Sequence, residues 1–196
     1  EVKDYFNLES IELWDLGYYQ NLLREQKYSL SSKEIKQYFE FDRVLEGLFS
    51  IVKRLYDVEL ELINVDSYNS DVKTYKVTKS WEFVSYFIAD YFYRPEKKSG
   101  AWCDSLRWKE TIDDQSIAPI VVNVCNFQKW ESGKTLLTHS DVQTMFHEFG
   151  HALHCMLSAS KYASLNGFWV EWDFVELPSQ LLENWSREPE SLLTFA

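Results

Sequence analysis

The stretch His147-Glu148-Phe149-Gly150-His151 constrains this chain more than any other. Two histidines at i and i+4 stand one above the other on a single helix face. So placed, both imidazoles can grip one zinc ion. The glutamate after the first histidine then stands beside the metal's remaining position, where it can take a proton from water. The spacing asks for a helix through 147–151 and points towards zinc-dependent peptidase chemistry.

The surrounding residues supply that helix. From Ser140 to Leu157, Val142, Met145, Phe146, Phe149, Ala152, Leu153 and Met156 recur at three- and four-residue spacing and form a stripe for a core. His147, His151 and His154 fall on another face. Thr138 or Ser140 can cap the start, with Asp141 in the first turn. Gly150 costs roughly 1 kcal/mol of helix propensity relative to Ala, which suggests that space at that position matters. His139 reads as a loop or hinge residue before the helix, and His154 as a satisfied, partly buried histidine.

Two histidines need a third ligand. A metzincin would carry a glycine at position 154 and a histidine at 157, where this chain has His154 and Leu157. A carboxylate on a following helix is the other common solution. Pro178 suits a first helical turn, and Leu177, Leu181, Leu182 and Trp185 continue a helix to about Ser186. Asp173, Glu176 and Glu183 are the acidic candidates there, and spacing alone does not choose among them.

The stretch from His147 to His154, reading HEFGHALH, followed by DFVELPSQ from Asp173 to Gln180, resembles the thimet oligopeptidase, oligopeptidase A and peptidyl-dipeptidase family of zinc metallopeptidases. The likeness runs upstream in order. It takes in Leu13-Trp14-Asp15, Tyr18-Tyr19, Leu23-Arg24, Tyr38-Phe39 and the run from Val44 to Phe49. Asp71-Val72 through Tyr75, Asp90 with Arg94 and Lys97, Gly100-Ala101-Trp102, Cys125-Asn126-Phe127 and Leu136 to His139 follow. The resemblance implies that His147, His151 and Glu176 bind one zinc ion per chain and that Glu148 is the catalytic base. It gives Asp173 a role in orienting a ligand. The implied activity is zinc-dependent hydrolysis of peptide bonds in short peptides. It also implies a histidine and tyrosines further downstream that steady the tetrahedral oxyanion, whereas this sequence stops at Ala196. The expectation is a fragment of the catalytic domain, weakly active or inactive alone. The alternative is a catalytically incomplete zinc-binding scaffold that must associate with the missing remainder of that domain. Asn69-Ser70, Asn166-Gly167-Phe168 and Cys155 depart from the family's pattern and leave the ligands untouched.

Composition narrows the class. Hydrophobic residues make up 45% and aromatic residues 17%, which suits a packed core. A net charge of −11 without a Lys/Arg stripe argues against nucleic acid as a partner. The short run from Arg94 to Lys98 reads as a solvated loop. Cys103, Cys125 and Cys155 form no CxxC pair and read as reduced thiols. No apolar run reaches the roughly 18 residues of a membrane span. A cytoplasmic enzyme without a membrane partner is expected, although a chain starting at Glu1 leaves a targeting segment open.

The fold class expected is α+β, mainly helical, with a zinc-binding helix pair beside a small, mostly antiparallel sheet. Residues 1–57 read as a helical part, 58–130 as a sheet-containing part and 131–196 as the zinc-site helices, together forming a partial metallopeptidase catalytic domain. Helices are expected over Ile11 to Arg24, capped by Ser10, and over Lys33 to Tyr56, opened by Ser31-Ser32. Strands are expected over Val58 to Val65, Val72 to Val77, Glu82 to Tyr93 and Ile117 to Phe127, with a turn around Thr78-Lys79-Ser80. Ile117 to Phe127 is expected to be an edge strand that can add a substrate backbone. Gly100-Ala101-Trp102 is expected to be a loop over the cleft or a plain turn.

Overall fold

A computed structural model of the chain describes residues 2–29, 31–130 and 133–196. Its helices are α1 (Val2–Tyr5), α2 (Leu16–Tyr28), α3 (Ser32–Lys36) and α4 (Phe41–Tyr56). Strands β1 (Val58–Ile63), β2 (Lys73–Lys79), β3 (Glu82–Phe92), β4 (Trp102–Arg107), β5 (Glu110–Ile112), β6 (Gln115–Ile117) and β7 (Ile120–Phe127) follow. Helices α5 (His139–Met156), α6 (Leu177–Glu183) and α7 (Pro189–Phe195) close the chain, with single 3₁₀ turns at Ala163–Leu165 and Asn184–Ser186. The class is α+β, as the sequence implies.

The main sheet runs β1-β2-β3-β7-β4, antiparallel throughout except for β3 beside β7. Parallel neighbours need a long connection, and the one between β3 and β7 contains β4 and the small β5-β6 hairpin. β7 therefore has a neighbour on each side and is not the expected edge. Its apolar, β-branched sequence reflects burial in the sheet interior, with Val121, Val124 and Cys125 all buried. The free edge on the β7 side is β4. Its strand starts at Trp102, so the expected Gly100-Ala101-Trp102 loop ends one residue earlier.

Two further expectations change. The helix expected over Lys33 to Tyr56 is broken at 37–40, where the chain pairs with residues near Leu136. Phe41 N–H donates to Thr135 O at 2.8 Å and Leu137 N–H donates to Phe39 O at 2.8 Å. Those bonds take backbone groups that a continuous helix would need. α3 keeps the expected start, with a reciprocal capping box between Ser31 and Glu34. The first long helix begins at Leu16 after Asp15, well past Ser10. The β2-β3 turn falls at Ser80-Trp81, both at positive φ (49° and 70°), one residue later than expected.

α5 carries the molecule's interior. Thr138 and Asp141 form a capping box at its start, and Val142, Met145, Phe146, Phe149 and Ala152 are fully buried. They pack with α4 residues such as Val44 and Leu48 and with sheet residues such as Phe87 and Val121 in one core. The side-chain amide of Asn123, on β7, donates to the backbone carbonyl of Glu148 at 2.9 Å and ties the sheet to the middle of α5.

The run from Arg94 to Lys98 is solvated only in part: Pro95, Glu96 and Lys98 are exposed, whereas Arg94 and Lys97 turn inward. Asp90, 3% exposed, accepts from Arg94 Nη1 and Nη2 at 2.7 Å each, from Lys97 Nζ at 2.9 Å and from Tyr68 Oη at 2.9 Å. Burial pushes the Asp90 carboxyl up, but these donors outweigh it and hold the group below its ordinary value. Cys103, Cys125 and Cys155 are free thiols. Among the described residues no helix is long and apolar enough to cross a membrane.

Candidate metal centre

The two helices that carry the sequence motifs meet at Gly150. A Cβ there would lie 2.6 Å from both Pro178 O and Ser179 Cα, which are backbone atoms of α6. Only glycine allows this approach, and it sets the carboxylate that precedes α6 against the histidines of α5. Glu176 Oε2 lies 3.3 Å from His147 Nε2 and 3.1 Å from His151 Nε2. Among the described residues these three offer ligand atoms all within 4.8 Å of one another. The edges of a zinc tetrahedron with bonds of about 2.0–2.1 Å are roughly 3.3–3.4 Å long, so the donor set fits such an ion.

Each candidate ligand is held differently. His147 Nδ1 lies 2.7 Å from Glu183 Oε1. A carboxylate accepts, so Nδ1 carries the proton and the Nε2 lone pair faces Glu176. Glu183 Oε2 also accepts from Gln143 Nε2 at 2.6 Å. Glu176 Oε2 accepts from Ser179 Oγ at 2.8 Å. His151 is buried, its ring edge-on to Phe168 at 5.7 Å, and its Nδ1 has no hydrogen-bond partner. Burial lowers its pKa, which favours the neutral imidazole that metal binding requires.

Glu148 is buried beside this cluster, and its Oε2 has no partner. Burial pushes its carboxyl up to about 7, with His147 opposing and Glu176 adding to the shift. A cavity of about 310 Å³ opens onto the group, lined by Ala101, Trp102, Cys103, His147, Glu148, His151, Phe168, Val175 and Glu176. The start of the edge strand β4 thus forms one wall.

Of the three acidic candidates, Glu176 meets both histidines and Glu183 positions one of them. Asp173, expected to orient a ligand, is exposed in the wall of a wider groove, and the carboxylate that meets a histidine ring of the cluster is that of Glu183. Gln143 and Ser179 also support the cluster, and no sequence signal singled them out. His139 is the first residue of α5, not a loop residue, and its Nε2 lies 3.0 Å from Ser186 O. His154 is half-buried as expected, yet its Nδ1 lacks a partner. Asn166 is buried, and its amide donates to Tyr162 O in its own loop and to Lys109 O, so this departure from the family's pattern ties that loop to the connection between β4 and β5.

The sequence model of Peptidase family M3 matches residues 1–196. The chain belongs to peptidase family M3. It is 37% identical over 196 residues to oligopeptidase A of Escherichia coli strain K12, covering 97% of this chain and 29% of that protein. It is 35% identical over 191 residues to dipeptidyl carboxypeptidase of the same organism, covering 95% and 28%. Organellar oligopeptidase A of Arabidopsis thaliana is 36% identical over 198 residues, covering 96% and 25%. The chain thus spans under a third of the length of these M3 relatives. Both α5 and α6 lie inside the matched residues.

Proposed function

We propose that this chain carries the metal centre of a zinc peptidase that hydrolyses peptide bonds in short peptides. His147, His151 and Glu176 would hold the zinc ion and Glu148 would serve as general base. The observation that carries this reading is the convergence of both histidine Nε2 atoms on one Glu176 oxygen, at 3.3 and 3.1 Å, beside the buried, unpartnered Oε2 of Glu148. Membership of family M3 supports it.

Held by His147, His151 and Glu176, a zinc ion would supply a Lewis acid for the scissile carbonyl and a nucleophilic water near neutral pH. The chain's own residues do the rest. Glu148 takes the proton of the attacking water and delivers it to the departing amine. Glu183 keeps the His147 ring in one tautomer and orientation, and Ser179 holds Glu176. The start of β4 flanks the cavity as a free edge to which an extended peptide can add its backbone. This route needs no acyl-enzyme, so the cysteine thiols need not be nucleophiles.

A second reading is a zinc-binding chain that needs further residues to turn over, and its support is that this chain spans 29% of oligopeptidase A. The three residue spans, 1–57, 58–130 and 131–196, stay our proposed subdivision of one catalytic domain. Residues 131–132, at its second boundary, lie outside the described residues. We also place the protein in the cytoplasm. One matched relative, of Arabidopsis thaliana, is named probable cytosolic oligopeptidase A.

Glu148→Gln separates the two readings. Zinc content, measured by elemental analysis, should stay at about one per chain in both. Hydrolysis of a quenched fluorescent peptide should be present in the wild type and lost in the variant if the chain is catalytic. Zinc without any turnover by the wild type selects the second reading, and absence of zinc overturns both.

A further inference from the structure

Beside the metal cavity lies a second, larger groove of about 1010 Å³. The two spaces share Phe168 and Val175 as a common wall. Phe168 stands edge-on to His151 at 5.7 Å on one side and to Trp108 at 5.7 Å on the other, and Trp108 meets Trp169 at 6.0 Å. The exposed indoles of Trp169 and Trp172 open towards solvent. Asp104, Glu171 and Asp173 also line the groove, and among the described lining residues none is Lys or Arg.

That combination selects a ligand. Aromatic faces attract a cation through the ring quadrupole and cover an aliphatic stem. Carboxylates on the rim pair with the cationic head and repel an acidic one. We propose that this groove is the subsite for an arginine or lysine side chain of the peptide being cleaved. The proposal rests on the peptidase reading above and adds its side-chain preference. Strand geometry fixes how far the subsite lies from the reacting bond. Trp102 and Cys103 line the metal cavity and the next residue, Asp104, lines the groove. A peptide laid along β4 rises about 3.3 Å per residue, so the cationic side chain sits within two residues of the scissile bond.

The test uses the zinc-loaded protein and quenched fluorescent peptides that differ at one position. Arg, Leu or Glu is placed at each of the two positions on either side of the scissile bond. At one of these, kcat/KM for Arg should exceed that for Leu by about tenfold, with Glu the poorest. In the combined variant Asp104→Asn, Glu171→Gln, Asp173→Asn, the Arg-to-Leu ratio at that position should fall to within about threefold. Trp169→Ala should lower the same ratio. These side chains are exposed, and Glu171→Gln alone serves as a second, milder variant. Arg and Leu peptides cleaved within about twofold at every position in the wild type would overturn the proposal, as would a preference that survives the combined variant. Zinc binding with no peptide cleaved would overturn the peptidase reading and this proposal with it.

Discussion

Glu183 shows how much a single side chain decides in this cluster. Its carboxylate meets the His147 ring nitrogen that faces away from Glu176, and it is itself held by Gln143. Removing such a partner leaves a ligand free to rotate and less basic, at a typical cost of 10- to 100-fold in metal affinity. Glu183→Ala should therefore weaken zinc binding by about that factor, while Glu183→Gln, which keeps an acceptor without the charge, should fall between. Competition against a fluorescent zinc chelator measures both. Wild-type affinity in Glu183→Ala would show that the ring is fixed by packing alone. His151 lacks an equivalent partner, so the two histidines should not respond alike to changes around them. At this scale the sequence was legible where chemistry demands a spacing, as at His147, Glu148 and His151. It was silent about Gln143 and Ser179, whose roles depend on which turn of α6 faces α5.

Between elements, the approach of α5 and α6 is the critical contact. Gly150 weakens α5 by its intrinsic propensity, and Ala would gain about 1 kcal/mol there if α5 stood alone. The added methyl would meet the α6 backbone at 2.6 Å, and no side-chain rotation relieves a clash with backbone. Gly150→Ala should push α6 away, lengthen the separation of Glu176 from both histidines, and leave the protein with well under one zinc per chain after dialysis. Stoichiometric zinc with wild-type affinity in Gly150→Ala would mean that the helices have room to spare. The same scale explains the broken helix at 37–40. Periodicity continues through Tyr38 and Phe39, but a distant segment near Leu136 takes the backbone hydrogen bonds, and no local pattern encodes that competition.

For the molecule as a whole, the Asp90 cluster ties β3 to the segment after it and gives stability an acid limb. Asp90 is held below its ordinary value of 3.8 when folded. Its contribution is then fully present above about pH 4 and is lost as pH falls through the folded value. The melting temperature should drop more steeply below pH 4 in the wild type than in Asp90→Asn. At pH 7 that variant should lose about 3–5 kcal/mol, because Lys97, whose side chain is 3% exposed, is left buried without its counterion. Thermal melts across pH check both. Parallel acid limbs in the two proteins would remove Asp90 as the cause. Zinc should raise the melting temperature of the wild type and not of His147→Ala, by about 2.7 kcal/mol of stability at 100-fold excess over Kd. An equal rise in both proteins would place the ion elsewhere.

The sequence by itself determined the elements whose chemistry or packing is local. These are the α5 stripe with its Thr138-Asp141 cap, the apolar β7, the i, i+4 histidines and the acidic stretch that opens α6. Periodicity and capping act within a few residues, so they can be read without knowing what lies across the fold. Tertiary structure decided the rest. It placed β4, not β7, at the free edge, because strand order depends on pairings between distant segments. It turned Arg94 and Lys97 inward onto Asp90 in a run that reads as solvated, with the Lys97 side chain buried. It also brought Glu176 to the histidines, since that meeting requires two helices to touch at Gly150, and contact between elements is a property of the packed chain.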